Sequence, residues 1–164
     1  MCRSKTTRRR RRLRRKSGGI IVHILVLNGP NLNLLGVREP EHYGTQTLAD
    51  LTAMIEAEAA DMGITVECRQ TNHEGDLVDW IQSAYGTADG IVINPAAYTH
   101  TSIAIFDAVN AVKVPTVEVH ITDPDTREPF RRVSYIRPAC IATVKGKGFA
   151  GYLEAMHIIA DHMK

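Results

Sequence analysis

The chain is 164 residues long, 44% hydrophobic and 23% charged, with 12 Gly, 7 Pro and 3 Cys; at roughly 100–200 residues per domain, that length fits one domain with a complete core. Its formal net charge of +2 hides an asymmetry: residues 1–16 hold ten of the twenty Lys and Arg and no acid, so the remaining 148 residues carry 10 basic and 18 acidic groups, a net of −8. The longest apolar run, Ile20–Leu27, falls far short of the ~20 residues of a membrane helix, and an acidic body is a poor general nucleic-acid binder because phosphates reward clustered positive charge.

The Arg-rich stretch comes first. Self-repulsion and the lack of apolar residues predict a disordered basic extension over residues 1–18, with a single domain over 19–164. The extension reads as an RNA-binding tail, as a targeting sequence, or as a non-essential leader placed ahead of a start near Ile20. No apolar stretch and small-residue cleavage site follow it, so a secretory signal is not expected. Cys2, Cys68 and Cys140 are too widely spaced for a disulfide framework or a CxxC metal knuckle, which fits a reducing cytoplasm.

Beyond Gly18-Gly19, short Val- and Ile-rich runs alternate with amphipathic stretches. Five runs read as strands buried on both faces: Ile20–Leu27, Ile64–Gln70, Gly90–Asn94, Pro115–His120 and Ala139–Lys145. Between the first two, Thr47 can cap a helix with the stripe Leu48, Leu51, Ile55 and Ala59, closed by Gly63. Leu77, Trp80, Ile81 and Ala84 form a second stripe ending at Gly86. Ile103, Ala104, Ala108 and Val112 form a third, and Tyr152, Leu153, Met156 and Ile159 the last. This order predicts a doubly wound α/β domain with a five-stranded parallel sheet and helices on both faces. Such sheets bind ligands beyond the carboxyl ends of their strands, where strand order reverses.

The loops at those ends hold the chemistry. The first, Asn28–Gly44, runs seventeen residues without a helix pattern, long against a usual 2–6, which marks it as a cover over a site. It lacks GxGxxG and G-x4-GK[ST], so a dinucleotide or P-loop cradle is not expected; it offers amides, Arg38 and Tyr43. The second, Pro95–Ser102, places His100 beside a helix start whose free N–H groups could seat a carboxylate. The fourth strand carries Glu118 and His120 at i, i+2, so both project from one face, followed by Arg127, Arg131 and Arg132. A buried Glu needs a partner, and an imidazole beside it can be oriented as an acid. His100, Glu118 and His120 do not have the spacing of HExxH or another strong zinc pattern. No GxSxG elbow is present, and the four lysines beyond the extension lie outside these loops, which leaves hydrolase and Schiff-base chemistry little support. A flavin- or phosphate-binding module and a silent scaffold with an RNA-binding arm are the competing classes.

Six segments taken together, Asn28-Gly-Pro-Asn31-Leu-Asn-Leu-Leu-Gly36, Arg38-Glu-Pro-x-x-Tyr43-Gly44, Gln70-Thr-Asn-His-Glu-Gly75, Asn94-Pro-Ala-Ala-Tyr-Thr-His-Thr-Ser102, Glu118-Val-His-Ile121 and Arg127-Glu-x-Phe-Arg131, resemble type II 3-dehydroquinase. The resemblance runs in order from about Ile20 to the C-terminus. It implies a flavodoxin-like fold, trimers grouped into a homododecamer, and reversible anti elimination of water from 3-dehydroquinate through an enolate, without metal or cofactor. Carried over, Tyr43 is the base, acting as a tyrosinate; Arg38 lowers its pKa; Asn31 holds the water that stabilises the enolate; His120 protonates the departing hydroxyl. Asn94, His100 and Arg131 match substrate-hydroxyl contacts, the Ile121 and Thr122 amides the carboxylate seat, and Asp107 an acid reaching the site from a neighbouring subunit. The chemistry asks for these types: a free phenol has a pKa of ~10, and a guanidinium beside it favours the anion, while fixed donors at the enolate follow oxyanion-hole logic. Two departures stand out. Asp123 and Asp125 add negative charge near the expected carboxylate seat, and Phe106 precedes Asp107 where an Arg is common.

Overall fold

The computed structural model describes residues 21–37 and 45–164; the basic extension expected at 1–18, and Arg38 and Tyr43 in the first loop, lie outside the described residues. Five strands, β1 (His23–Asn28), β2 (Thr65–Gln70), β3 (Gly90–Asn94), β4 (Thr116–His120) and β5 (Ala142–Lys145), form one parallel sheet in the order β2-β1-β3-β4-β5. Four helices accompany them: α1 (Leu48–Met62), α2 (Glu74–Ser83), α3 (Ile103–Val112) and α4 (Ala150–His162).

Alternation of side chains along each strand splits the core into two apolar layers. Ile24 and Val26 of β1 and Val117 and Val119 of β4 pack on Leu51 and Ile55 of α1 and on Met156 and Ile159 of α4. Leu25 and Leu27 with Ile91 and Ile93 of β3 face Leu77 and Ile81 of α2 and Ile105 and Val109 of α3. Each such side chain, fully buried, contributes about 1.5–3 kcal/mol of transfer free energy. Helix α1 begins in a capping box: the Thr47 hydroxyl accepts from the Asp50 N–H, and the Asp50 carboxylate accepts from the Thr47 N–H. It stops at Gly63, whose φ of 68° is the left-handed conformation that glycine enters freely.

Several boundaries and faces differ from the sequence reading. β5 starts at Ala142 because Arg137–Ala139 form a 3-10 turn around Pro138, which has no N–H for a ladder. β2 is an edge strand with Thr65 and Glu67 exposed, and β5 at the other edge buries only Val144, so the expectation of burial on both faces holds for β3 and β4 and fails at the two edges. On α3 the buried face is Ile105, Ala108, Val109 and Val112; Ile103 and Ala104, expected in the core, are exposed. Helix α4 covers β3 so closely that a Cβ at Gly90 would stand 2.3 Å from Ile159 Cγ2.

The chain leaves β1 toward β2 on one side and later returns to β3 on the other, so the strand order reverses between β1 and β3. At that rim the Gly29 N–H donates to the Asn94 carbonyl at 2.8 Å. A Cβ there would lie 2.5 Å from the Pro95 carbonyl oxygen, which is why the turn requires glycine.

Candidate active site

A cavity of about 300 Å³ opens at the carboxyl ends of β1, β3 and β4. Pro30, Asn31, Leu32 and Leu35 wall it from the β1 side, Asn94, Ala96, Ala97 and His100 from β3, and His120, Ile121, Thr122, Pro124, Arg127 and Arg131 from β4. Of the expected site residues, Asn31, Asn94, His100, His120, Ile121, Thr122 and Arg131 therefore share one concavity. Asp107 does not: it is exposed on α3 and absent from the lining of its own chain's cavity.

Glu118 organises the β4 side. Fully buried, its Oε1 accepts from the Thr99 hydroxyl, from Ser134 Oγ at 2.8 Å and from His120 Nε2 at 3.0 Å. Its Oε2 accepts from Thr143 Oγ1 at 3.3 Å and stands 3.7 Å from Arg137 Nε. Burial alone would push this carboxyl up. The His120 hydrogen bond and charge, with the two hydroxyls on Oε1, outweigh burial and hold it at about 2. An ionised carboxylate can only accept, so His120 Nε2 carries the proton of that bond.

His100 is fixed with the opposite polarity. Its Nδ1 donates to the Val133 carbonyl at 2.7 Å, and burial, reinforced by the nearby His120 and Arg131 charges, holds its pKa below the ordinary histidine value. The ring is neutral at pH ~7, with Nε2 an acceptor suited to a hydroxyl proton. Arg131 Nε donates to Glu128 Oε2 at 2.8 Å, and its guanidinium lies 5.2 Å from the Phe130 ring centre. Arg127 stands 3.5 Å from the same carboxylate. Two guanidiniums on one side of the cavity supply local positive charge of the kind an anionic ligand needs.

On the β1 side Asn31 adopts a left-handed φ of 66°, a conformation asparagine tolerates better than most residues. Its N–H donates to Asn72 Oδ1 at 2.9 Å, and Gln70 Nε2 donates to the same oxygen at 3.1 Å. The loop after β2 thus props the loop after β1.

The structure refines two sequence expectations. The α3 N-terminus lies outside the cavity lining: residues 96–100 form a 3-10 turn, Ser102 caps the helix by accepting from the Ile105 N–H, and the lining on this side ends at His100. Asp123 and Asp125 still add negative charge nearby, cut from two charges to one by Lys145. Both pair with Lys145 of β5, the former at 3.1 Å, and neither lines the cavity. The sequence reading also missed Ser134, Thr99, Thr143 and Arg137 as partners of Glu118, because they converge from separate loops and carry no common spacing. No group of three His, Cys, Asp or Glu side chains placed to hold a metal ion occurs among the described residues. Cys68 and Cys140 are free thiols pushed up by burial to about 12.

The family model for class II dehydroquinases matches residues 22–160. The chain belongs to that family. A curated relative from Geotalea daltonii, named 3-dehydroquinate dehydratase, is 57% identical over 141 residues, spanning 86% of this chain and 98% of the relative. Another, from Aspergillus oryzae, is named catabolic 3-dehydroquinase and is 51% identical over 141 residues, 86% of this chain and 92% of its own. The solved type II dehydroquinase of Butyrivibrio crossotus superimposes with a TM-score of 0.85 at 46% identity, covering 87% of this chain and 99% of the other. As a class II dehydroquinase the chain has the flavodoxin-like fold expected of its strand order. No helix among the described residues is long and apolar enough to cross a membrane.

Proposed function

We propose that this class II dehydroquinase is a 3-dehydroquinate dehydratase, a hydro-lyase converting 3-dehydroquinate to 3-dehydroshikimate for the shikimate pathway or for quinate catabolism. The observation that carries the reading is the Glu118–His120 pair, a buried ionised carboxylate bound to an imidazole at a strand's carboxyl end, inside a cavity rimmed by two guanidiniums. The names carried by the Geotalea and Aspergillus relatives support it.

The substrate is a carboxylate bearing a ketone and several hydroxyls. In this reading the Ile121 and Thr122 amides seat the carboxylate, while Asn94, His100 and Arg131 take hydroxyls; the neutral acceptor at His100 Nε2 suits that task. A proton alpha to a ketone is weakly acidic, so removal calls for a strong base. Tyr43 fills that role, with Arg38 favouring its anion. Asn31 holds the water that stabilises the enolate. His120 then protonates the hydroxyl as the carbon–oxygen bond breaks, and Glu118 stabilises the imidazolium before transfer. Asp107, exposed on α3, reaches the site of a neighbouring copy, consistent with a homododecamer of trimers. We read residues 19–164 as the catalytic domain and its location as cytoplasmic.

The test is direct. The purified chain, given 3-dehydroquinate with a chelator present, should raise the ultraviolet absorbance of a conjugated enone carboxylate. Tyr43→Phe and His120→Ala should each lose at least ~10²-fold in kcat, the scale of a general acid or base. No turnover by the wild type, or an unimpaired Tyr43→Phe, would overturn the reading.

A further inference from the structure

Behind the cavity, Asn94 belongs to a polar chain whose other members, Asn28 and Tyr152, the mechanism above does not use. Asn28 and Asn94 are the last residues of β1 and β3, paired in register and both buried. Between their side chains lies the hydroxyl of Tyr152, projecting from α4 behind the sheet. Tyr152 Oη donates to Asn28 Oδ1 at 2.7 Å and accepts from Asn94 Nδ2 at 2.8 Å. Asn94 Oδ1 in turn accepts from the Ala96 N–H at 3.1 Å, and Ala96 sits at a φ of 50°, which alanine rarely adopts.

The polarity of this chain is forced. A backbone N–H can only donate, so the Ala96 contact identifies Oδ1 of Asn94 and puts its nitrogen against Tyr152. The phenol has one hydrogen, committed to Asn28. Burial pushes its pKa well above that of a free phenol, so the hydrogen stays. Tyr152 must then accept from Asn94, which fixes the amide plane at both ends. Asn94 lines the cavity, and the second N–H on the same nitrogen is the donor it can offer a ligand.

We propose that Tyr152 is a positioning residue that sets the Asn94 amide so that one N–H faces an oxygen of the bound substrate at the carboxyl end of β3. This rests on the assignment of the cavity as the 3-dehydroquinate site. Tyr152 touches no substrate and moves no proton; it acts through Asn94 on binding.

The experiment is a steady-state comparison of the wild type, Tyr152→Phe, Asn94→Ala and the double variant. Tyr152→Phe should raise KM about tenfold, the scale of one directed hydrogen bond, with kcat changed less than about threefold and the pH profile of kcat unmoved. In the Asn94→Ala background the same substitution should leave KM unchanged, because its route to the substrate is gone. Ile159→Val on the same helix is the control for general destabilisation and should lower Tm with KM unaltered. If Tyr152→Phe does not fold, Asn28→Ala, which frees the phenolic hydrogen to turn toward Asn94, should raise KM and lose that effect beside Asn94→Ala. An unchanged KM in Tyr152→Phe, or an equal rise in the Asn94→Ala background, overturns the proposal while leaving the dehydratase reading intact. Absence of wild-type turnover overturns both.

Discussion

Replacing Glu118 by Gln keeps the shape of the buried side chain and removes its charge. The displacement of its carboxyl from 4.5 to about 2, at about 1.36 kcal/mol per pH unit, corresponds to on the order of 3 kcal/mol of stability at neutral pH. Because the folded value is the depressed one, that contribution is complete above 4.5 and drains away as pH falls toward 2. The gap in unfolding free energy between wild type and Glu118→Gln should therefore be about 3 kcal/mol near pH ~7 and about 2 kcal/mol near pH ~3.5. Urea melts followed by circular dichroism at fixed chain concentration measure both points. A gap that does not change with pH would mean that the hydroxyls and His120 are not holding an ionised carboxylate, and the account of the β4 side would fail.

Three further outcomes follow from the same geometry. Gly90→Ala places a methyl 2.3 Å from Ile159 Cγ2 and should cost about 1–3 kcal/mol by overpacking; urea melts of the double variant with Ile159→Ala should show a loss smaller than the sum of the two single losses. Lys145→Ala removes the ammonium that pairs with both Asp123 and Asp125; KM for the anionic substrate should rise about threefold at low ionic strength, with the effect shrinking in ~1 M salt. Cys68 and Cys140, both held at about 12, should resist alkylation in the native protein near pH ~8 and react once unfolded, as mass spectrometry of the modified peptides would report.

The parts of this molecule written in local pattern were legible from sequence. The Val- and Ile-rich runs of β1, β3 and β4, the Thr47 cap and the Gly63 stop announce themselves over a few residues, and the strand order then places the site by rule. α3 defeated the pattern because Ile103 and Ala104 are apolar yet exposed, while the buried Ile105 sits one position on. Glu118 and His120 could be paired from their spacing, but Ser134 and Arg137 could not, since contacts across loops leave no period. Tyr152 looked like one more member of an apolar stripe. Its hydroxyl acquires meaning only from the register that sets Asn28 beside Asn94. The charge of Asp123 and Asp125 was visible, and the lysine that answers it was hidden on another strand.

That Tyr152 hangs from α4 has a consequence for synthesis. A nascent chain that has delivered all five strands still lacks the helix that covers Gly90 and supplies the phenol, so the amides at the ends of β1 and β3 remain wet and free to turn. The Asn28–Tyr152–Asn94 chain is therefore complete only once α4 has been made, and no translation intermediate stopped before Ala150 can present it.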